Sequence, residues 1–326
     1  MAYINVDEVY ILDNTGLQVD KTTDLPFKDA SLSETEKAQA RANIGAGGSN
    51  PNLLDNPFFQ VNQRSYTNES TASAYVADRW FLYGAPSLTV TNSGNGIVLT
   101  GSGDARLRHH IDERFFMGLY GEPLTFSIKV DGKVYSFTFN NLASRPSAQT
   151  GICPDTWIYT EAGRILVSCA WQPITNVILL FFRAYAPMTI QAVKLEHGSV
   201  STLANDAPPN YAEELAKCQR YFYRISNTIN YAVFGTGHAA SASVVYVFVP
   251  LPVTMRNTPA KAISTVGDFR LIGNGQSVSM TDIGVRYATP NGVTLQTSGS
   301  SGLTTYQTYS LVNTGTSAYI DFSADL

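Results

Sequence analysis

Apolar and polar positions alternate with period two along much of the chain. Residues 124–130 read Leu-Thr-Phe-Ser-Ile-Lys-Val, the spacing of a strand with one face buried. Asp131-Gly132 follows, a pair that tolerates positive φ, and residues 133–139 alternate again, which predicts a hairpin. Gly94-Asn95-Gly96 marks another turn, between strands at 88–91 and 97–100, and 164–170, 176–183 and 188–195 keep the rhythm. Farther along, 243–249, 278–288, 293–297 and 317–322 read as strands. Gly273-Asn274-Gly275 and Thr289-Pro290-Asn291-Gly292 supply tight turns.

Two stretches break to a helical pattern. In 33–44, Ser33 and Glu36 stand at capping-box spacing, Ala38, Ala40 and Ala42 favour helix, and Gly45 is placed to stop it. The second starts after Pro208-Pro209. Asn210 is the expected N-cap with Glu213 as its capping-box partner, and Tyr211, Leu215, Cys218 and Phe222 make a one-sided stripe. That stripe fits packing on the preceding unit and a short coiled coil equally well. The glycine-rich stretch 45–50 reads as a linker.

The expected fold is therefore mostly β. A short N-terminal segment with its helix spans 1–50, a jelly-roll or β-sandwich spans 51–208, and a connecting helix with a C-terminal β-sandwich head spans 209–326. No repeat recurs at a fixed period, which argues against a β-helix.

Composition narrows the function. The chain has 326 residues, 44% hydrophobic, enough for real cores. Charged residues are only 15%, against about 25% in ordinary globular chains. Residues 226–326 hold just Arg256, Lys261, Arg270, Arg286, Asp268, Asp282, Asp321 and Asp325. A net charge of −4 gives no basic surplus for nucleic acid or an anionic membrane. The longest apolar run, near 177–182, is far too short to cross a bilayer. An acidic, uncharged-by-cation start predicts synthesis in the cytoplasm without a signal peptide. Cys153, Cys169 and Cys218 are odd in number and lack CxxC spacing, so they read as buried free thiols.

Four segments together resemble phage and prophage tail-fibre proteins. Residues 32–46, Leu-Ser-Glu-Thr-Glu-Lys-Ala-Gln-Ala-Arg-Ala-Asn-Ile-Gly-Ala, resemble the helix-and-glycine connector of such fibres. Residues 52–64, Asn-Leu-Leu-Asp-Asn-Pro-Phe-Phe-Gln-Val-Asn-Gln-Arg, with 76–80, Val-Ala-Asp-Arg-Trp, resemble the opening of a carbohydrate-module-like sandwich. Residues 193–200 and 211–222 are similar to its exit, and 252–259 with 318–326 to a C-terminal head. His197 stands where an apolar residue is more usual, and the segment before the connector is short. The resemblance implies a homotrimer in the virion, attached through its N-terminus to a baseplate or fibre adaptor. Its distal head would bind host-surface polysaccharide or glycan without catalysis. Three linked weak sites would gain by avidity.

Sugar recognition needs an aromatic face for the C–H side of a ring and amides for its hydroxyls. Tyr306 and Tyr309, with Asn274, Gln276, Asn291 and Gln307 near turns, are the head candidates, and Trp157 and Trp171 are those of the sandwich. Trp80 reads as core. No cofactor is expected. A structural calcium would draw on Asp55 and Glu196, although no dense acidic loop supports it. His109 and His110 point to opposite faces of a strand, so only a threefold axis would gather them on a metal. The alternatives are a fibre-borne polysaccharide depolymerase or esterase and a purely structural fibre or baseplate component. For the enzyme, the head offers few carboxylates and no nucleophile motif.

Overall fold

A computed structural model describes residues 11–12, 18–19, 50–69, 73–84, 86–112, 120–144, 150–172, 175–207 and 209–325, without the side chains of 11–12, 18–19, 68–69, 112, 171–172 and 175–179. The connector helix expected at 33–44 lies outside them.

The described chain is mostly β. Strands β1 (Ile11–Leu12) and β2 (Gln18–Val19) pair antiparallel. The middle of the chain then contributes β3 (Asn68–Glu69), β4 (Ala74–Ala77), β5 (Trp80–Leu82), β6 (Thr89–Asn92), β7 (Ile97–Thr100), β8 (Gly103–Asp112) and β9 (Pro123–Val130). It continues with β10 (Lys133–Asn140), β11 (Thr150–Gly151), β12 (Thr156–Tyr159), β13 (Gly163–Gln172), β14 (Thr175–Ala184) and β15 (Met188–His197). They form two antiparallel sheets, one ordered β10-β9-β15-β7-β6-β3 and the other β11-β13-β14-β8-β5-β4 with β12 beside β13.

The hairpin read from sequence is β9–β10, with Asp131 at φ 47° and Gly132 at φ 82°. Leu107, Phe126, Ile128, Ile165, Val167 and Phe182 share its core. Trp80 is fully buried there, with Phe59 at 5.0 Å and His109 at 4.8 Å between ring centroids. Its indole N–H donates to the Asn56 carbonyl at 2.9 Å. Asn56, at φ 52°, satisfies the tight turn around it: its side-chain amide donates to Val61 O and Asp78 O and its side-chain oxygen Oδ1 accepts from Val61 N–H. The short motif at 52–64 is thus a buried turn that seats the Trp.

Helix α1 (Tyr211–Gln219) follows, capped by the Asn210 side chain, which accepts from Ala212 N–H at 2.9 Å. Two expectations are corrected here. Glu213 does not close a capping box; the neighbouring Glu214 is buried instead and accepts from Asn56 N–H at 2.8 Å. The stripe stops early because the chain turns at Arg220 and Phe222 opens a strand. Glu214 and Cys218 are the buried positions, and Glu214 ties α1 to the middle sandwich.

The C-terminal part holds β16 (Phe222–Ser226), β17 (Val233–Ser241), β18 (Val244–Pro250), β19 (Ala260–Ile263), β20 (Phe269–Gly273), β21 (Gln276–Val278), β22 (Asp282–Thr289), β23 (Gly292–Ser298), β24 (Thr308–Asn313) and β25 (Tyr319–Ser323). A three-stranded sheet, β16-β25-β19, packs its Ile320 and Phe322 with the inner face of a seven-stranded one, β21-β20-β24-β17-β18-β23-β22. Strand β17 carries Gly235 and Gly237 and had no strand signature. Its glycines are required by close approach: a Cβ on Gly237 would sit 1.6 Å from the Tyr246 carbonyl oxygen of β18.

Arginines join the two units. The Arg64 guanidinium lies 3.4 Å from the Phe222 ring centroid and 3.9 Å from that of Tyr75. It also pairs with Asp325 and lies 3.6 Å from Asp78. Gln63 donates to the Phe222 carbonyl at 2.8 Å, and Arg224, which grips Asp321 with two bonds of 2.7 Å, donates to Arg64 O. Arg79 stacks 3.4 Å from the Tyr221 ring centroid. Burial pushes the Tyr75 hydroxyl up to about 12, so it stays protonated beside Asp325.

Candidate binding site at the tip of the head

One end of the head gathers most of the candidates. Gly273 lets β20 approach β24, where any Cβ would meet the Thr308 carbonyl oxygen at 2.3 Å. That approach sets the Asn274-Gly275 turn, at φ 51° and 69°, beside the loop 303–307. Asn274 then donates to the Thr304 hydroxyl at 3.0 Å. Thr304 N–H donates to the Tyr309 hydroxyl at 3.0 Å, which donates in turn to the Gln276 side-chain oxygen at 3.2 Å.

Tyr309 corrects an expectation. Its ring is fully buried, so it presents no stacking face; it is the pillar under the site. Its partner Tyr306 is 83% exposed, the most open large aromatic among the described residues. Tyr306 holds φ 66°, an uncommon and strained backbone for a tyrosine, fixed by its N–H to Ala239 O at 2.8 Å. Gln307 is exposed beside it, and its carbonyl accepts from Ala239 N–H at 2.9 Å.

A cleft of about 340 Å3 lies between the 277–281 segment, which follows Gln276, and Gly299 and Ser301, which precede the loop. Ser277, Ser279, Thr281 and Ser301 line it with hydroxyls, and Val278 and Met280 with apolar surface. No charged side chain is in its lining. These residues were missed in the sequence. Their only signal is the density of Ser and Thr at 277–281 and 298–301, which any polar turn shares.

The other candidates lie apart. Asn291 is at the far end of β22–β23, accepting from the Thr254 hydroxyl at 2.6 Å. Trp157 is 38% exposed on β12, with Arg164 at 4.6 Å from its centroid taking part of one ring face. Trp171 is in β13, and its side chain lies outside the described residues.

Asp55 and Glu196 each answer to a cation already. Arg79 donates to Asp55 at 3.2 Å. Glu196 is fully buried, accepts from Thr202 N–H at 2.8 Å and lies 3.5 Å from Lys194. No group of three or more His, Cys, Asp and Glu able to hold a metal exists among the described residues. His109 is buried with Nε2 3.1 Å from Asp55 O, and burial holds it well below its usual pKa; burial likewise takes His110 down to about 4. Among the head acids, Asp321 and Asp325 are held by Arg224 and Arg64, and Asp268 caps its own turn through Thr265 N–H.

The tip is therefore a neutral surface: a raised phenol ring, three amides and a hydroxyl-lined cleft. Such a surface offers one stacking face and neutral hydrogen-bonding groups, and none of its named members is an Asp, Glu, His, Lys or Arg. Compared with known proteins, the chain matches no family model and no curated sequence.

Proposed function

We propose that the chain is a phage tail-fibre or receptor-binding protein that attaches a virion to host-surface glycans, as a non-catalytic homotrimer. The observation that carries the reading is the Tyr306 tip. A tyrosine is held out on a strained backbone at the end of the head that also carries Asn274, Gln276 and Gln307 and a hydroxyl-lined cleft of about 340 Å3. A strained exposed aromatic on a well-braced loop is hard to explain by packing, since it packs on nothing. The likeness of residues 32–46, 52–64 and 76–80 to fibre segments supports the setting.

The trimer draws on a second surface. The outward row Ile272, Ser310, Thr236, Phe248, Thr294 and Tyr287 runs across the seven-stranded sheet in register. Phe248 and Tyr287 on it are exposed, as is Val285 nearby. A neighbouring copy would cover such a face. The expected assembly is three times the 35.4 kDa chain; a stable monomer by light scattering at micromolar concentration overturns it.

For the tip, the test is a glycan panel and host-cell binding assay with full-length protein and Tyr306→Ala. Saturable binding that Tyr306→Ala lowers at least tenfold, about 1.4 kcal/mol, is expected. Equal binding by the two proteins rejects the site.

A further inference from the structure

The three cysteines are not equivalent. Cys218 is alone in α1, whereas Cys153 and Cys169 meet at the edge of the middle sandwich. Gly151 of β11 pairs with Ala170 of β13, and Ile152 N–H donates to the Cys169 carbonyl at 2.8 Å. The chain then bends, and the Cys153 sulfur comes to rest against the Cys169 thiol and its backbone N–H, hydrogen-bonded to both. Cys153 is the more exposed of the pair, 8% against 3%.

We propose that Cys153 and Cys169 are a disulfide-forming site, with Cys153 as the attacking thiol and Cys169 as the resolving one. Nothing in this depends on the adhesin reading. The chemistry is thiol exchange with a small external disulfide such as oxidised glutathione. The Cys153 thiolate, having lost its proton to solvent, attacks one glutathione sulfur. The glutathione S–S bond breaks, a protein–glutathione bond forms, and the first glutathione leaves as a thiolate that takes a proton. The Cys169 thiolate then attacks Cys153 Sγ, expelling the second glutathione. Two protein thiols are oxidised and one glutathione disulfide is reduced to two thiols, so electrons and protons balance.

The environment supports the division of roles. The Cys169 thiol donates to Cys153 and its backbone N–H adds to this, holding Cys153 below an ordinary thiol. Cys169 is held well above it by that same bond and by burial, which suits a thiol that acts only after Cys153 has reacted. The product would staple the base of the β12–β13 hairpin, the hairpin that carries Trp157.

The test is to treat the folded full-length protein with excess oxidised glutathione, alkylate the remaining thiols, digest and map the peptides. A Cys153–Cys169 cross-link within one chain is expected, with Cys218 recovered alkylated. Cys169→Ser should trap a glutathione adduct on Cys153, and Cys153→Ser should leave Cys169 unmodified. Recovery of Cys153 and Cys169 both as free thiols from the wild-type protein overturns the site. So does cross-linking to Cys218 or between chains. An adduct on Cys169 in the Cys153→Ser protein overturns the assignment of roles.

Discussion

The middle sandwich and the head handle polar groups in opposite ways. The sandwich and its helix bury Asp78, Arg79, His109, His110, Lys194, Glu196 and Glu214; the head's buried polar residues among those described are the uncharged Thr297, Ser300 and Asn313. In the sandwich most of these groups are matched to a turn, strand or partner, the ring nitrogens of His110 being the exception. Lys194, for example, donates to both Asp206 oxygens, at 2.8 and 2.7 Å, and to Thr202. The head keeps an apolar core and sends Tyr306, Tyr287 and Phe248 outward. Buried charge is costly unless paired and makes a fold dependent on its pairing. Exposed aromatic surface stabilises nothing in the free chain and is most useful at a contact. The sandwich is thus the place where pH should change stability, whereas the proposed function puts changes in binding at the head tip.

Trp80→Ala should have the largest effect. It empties a fully buried site and removes one of the two donors to the Asn56 backbone carbonyl, so denaturant unfolding should show a loss of about 4 kcal/mol. A loss below 1 kcal/mol would move the Trp out of the core. Arg64→Ala comes next, at about 3 kcal/mol, because it strips a cation from buried Asp78 and removes the bridge to Asp325. Calorimetry should then resolve two transitions where the wild-type protein shows one, since sandwich and head lose their main joint. A single unshifted transition would remove Arg64 from that role.

Acid should act through the sandwich. His110 titrates near 4 in the fold against about 6.5 unfolded, and His109 is held low as well. Between those values the unfolded chain binds protons that the folded one does not, so stability falls as pH drops from about 6.5 to about 4. Asp78 opposes this: burial raises its carboxyl, so its own contribution falls as pH rises through the acid range. Urea midpoints should still decline toward pH 4, and His110→Leu should flatten the decline. Parallel profiles for the two proteins would exclude His110 as a cause. The smallest stability effect, within about 0.5 kcal/mol, is expected for Tyr306→Ala, whose side chain is in solvent.

Local features were legible in the sequence and nonlocal ones were not. The β9–β10 hairpin followed from alternation and Asp131-Gly132, and the start of α1 from Asn210. Strand β17 was hidden by Gly235 and Gly237, residues chosen for inter-strand clearance and not for strand propensity. Tyr306 and Tyr309 stand three apart in one polar stretch, yet one is outside and one is inside. Only the strained turn at Tyr306 separates them, and no alternation shows it. The Arg64 joint pairs groups 261 positions apart in Arg64 and Asp325, and the hydroxyl-lined cleft borrows from two distant Ser/Thr-rich turns. Both exist only once the sheets are assembled.

The division between a charged scaffold and a neutral contact tip is tested most directly by one comparison. Glycan or host-cell binding should be titrated for full-length wild-type, Tyr306→Ala and Trp157→Ala proteins of matched melting temperature. The account predicts at least a tenfold loss with Tyr306→Ala and wild-type affinity with Trp157→Ala. Loss with Trp157→Ala while Tyr306→Ala binds normally would contradict it and put the contact surface on the sandwich.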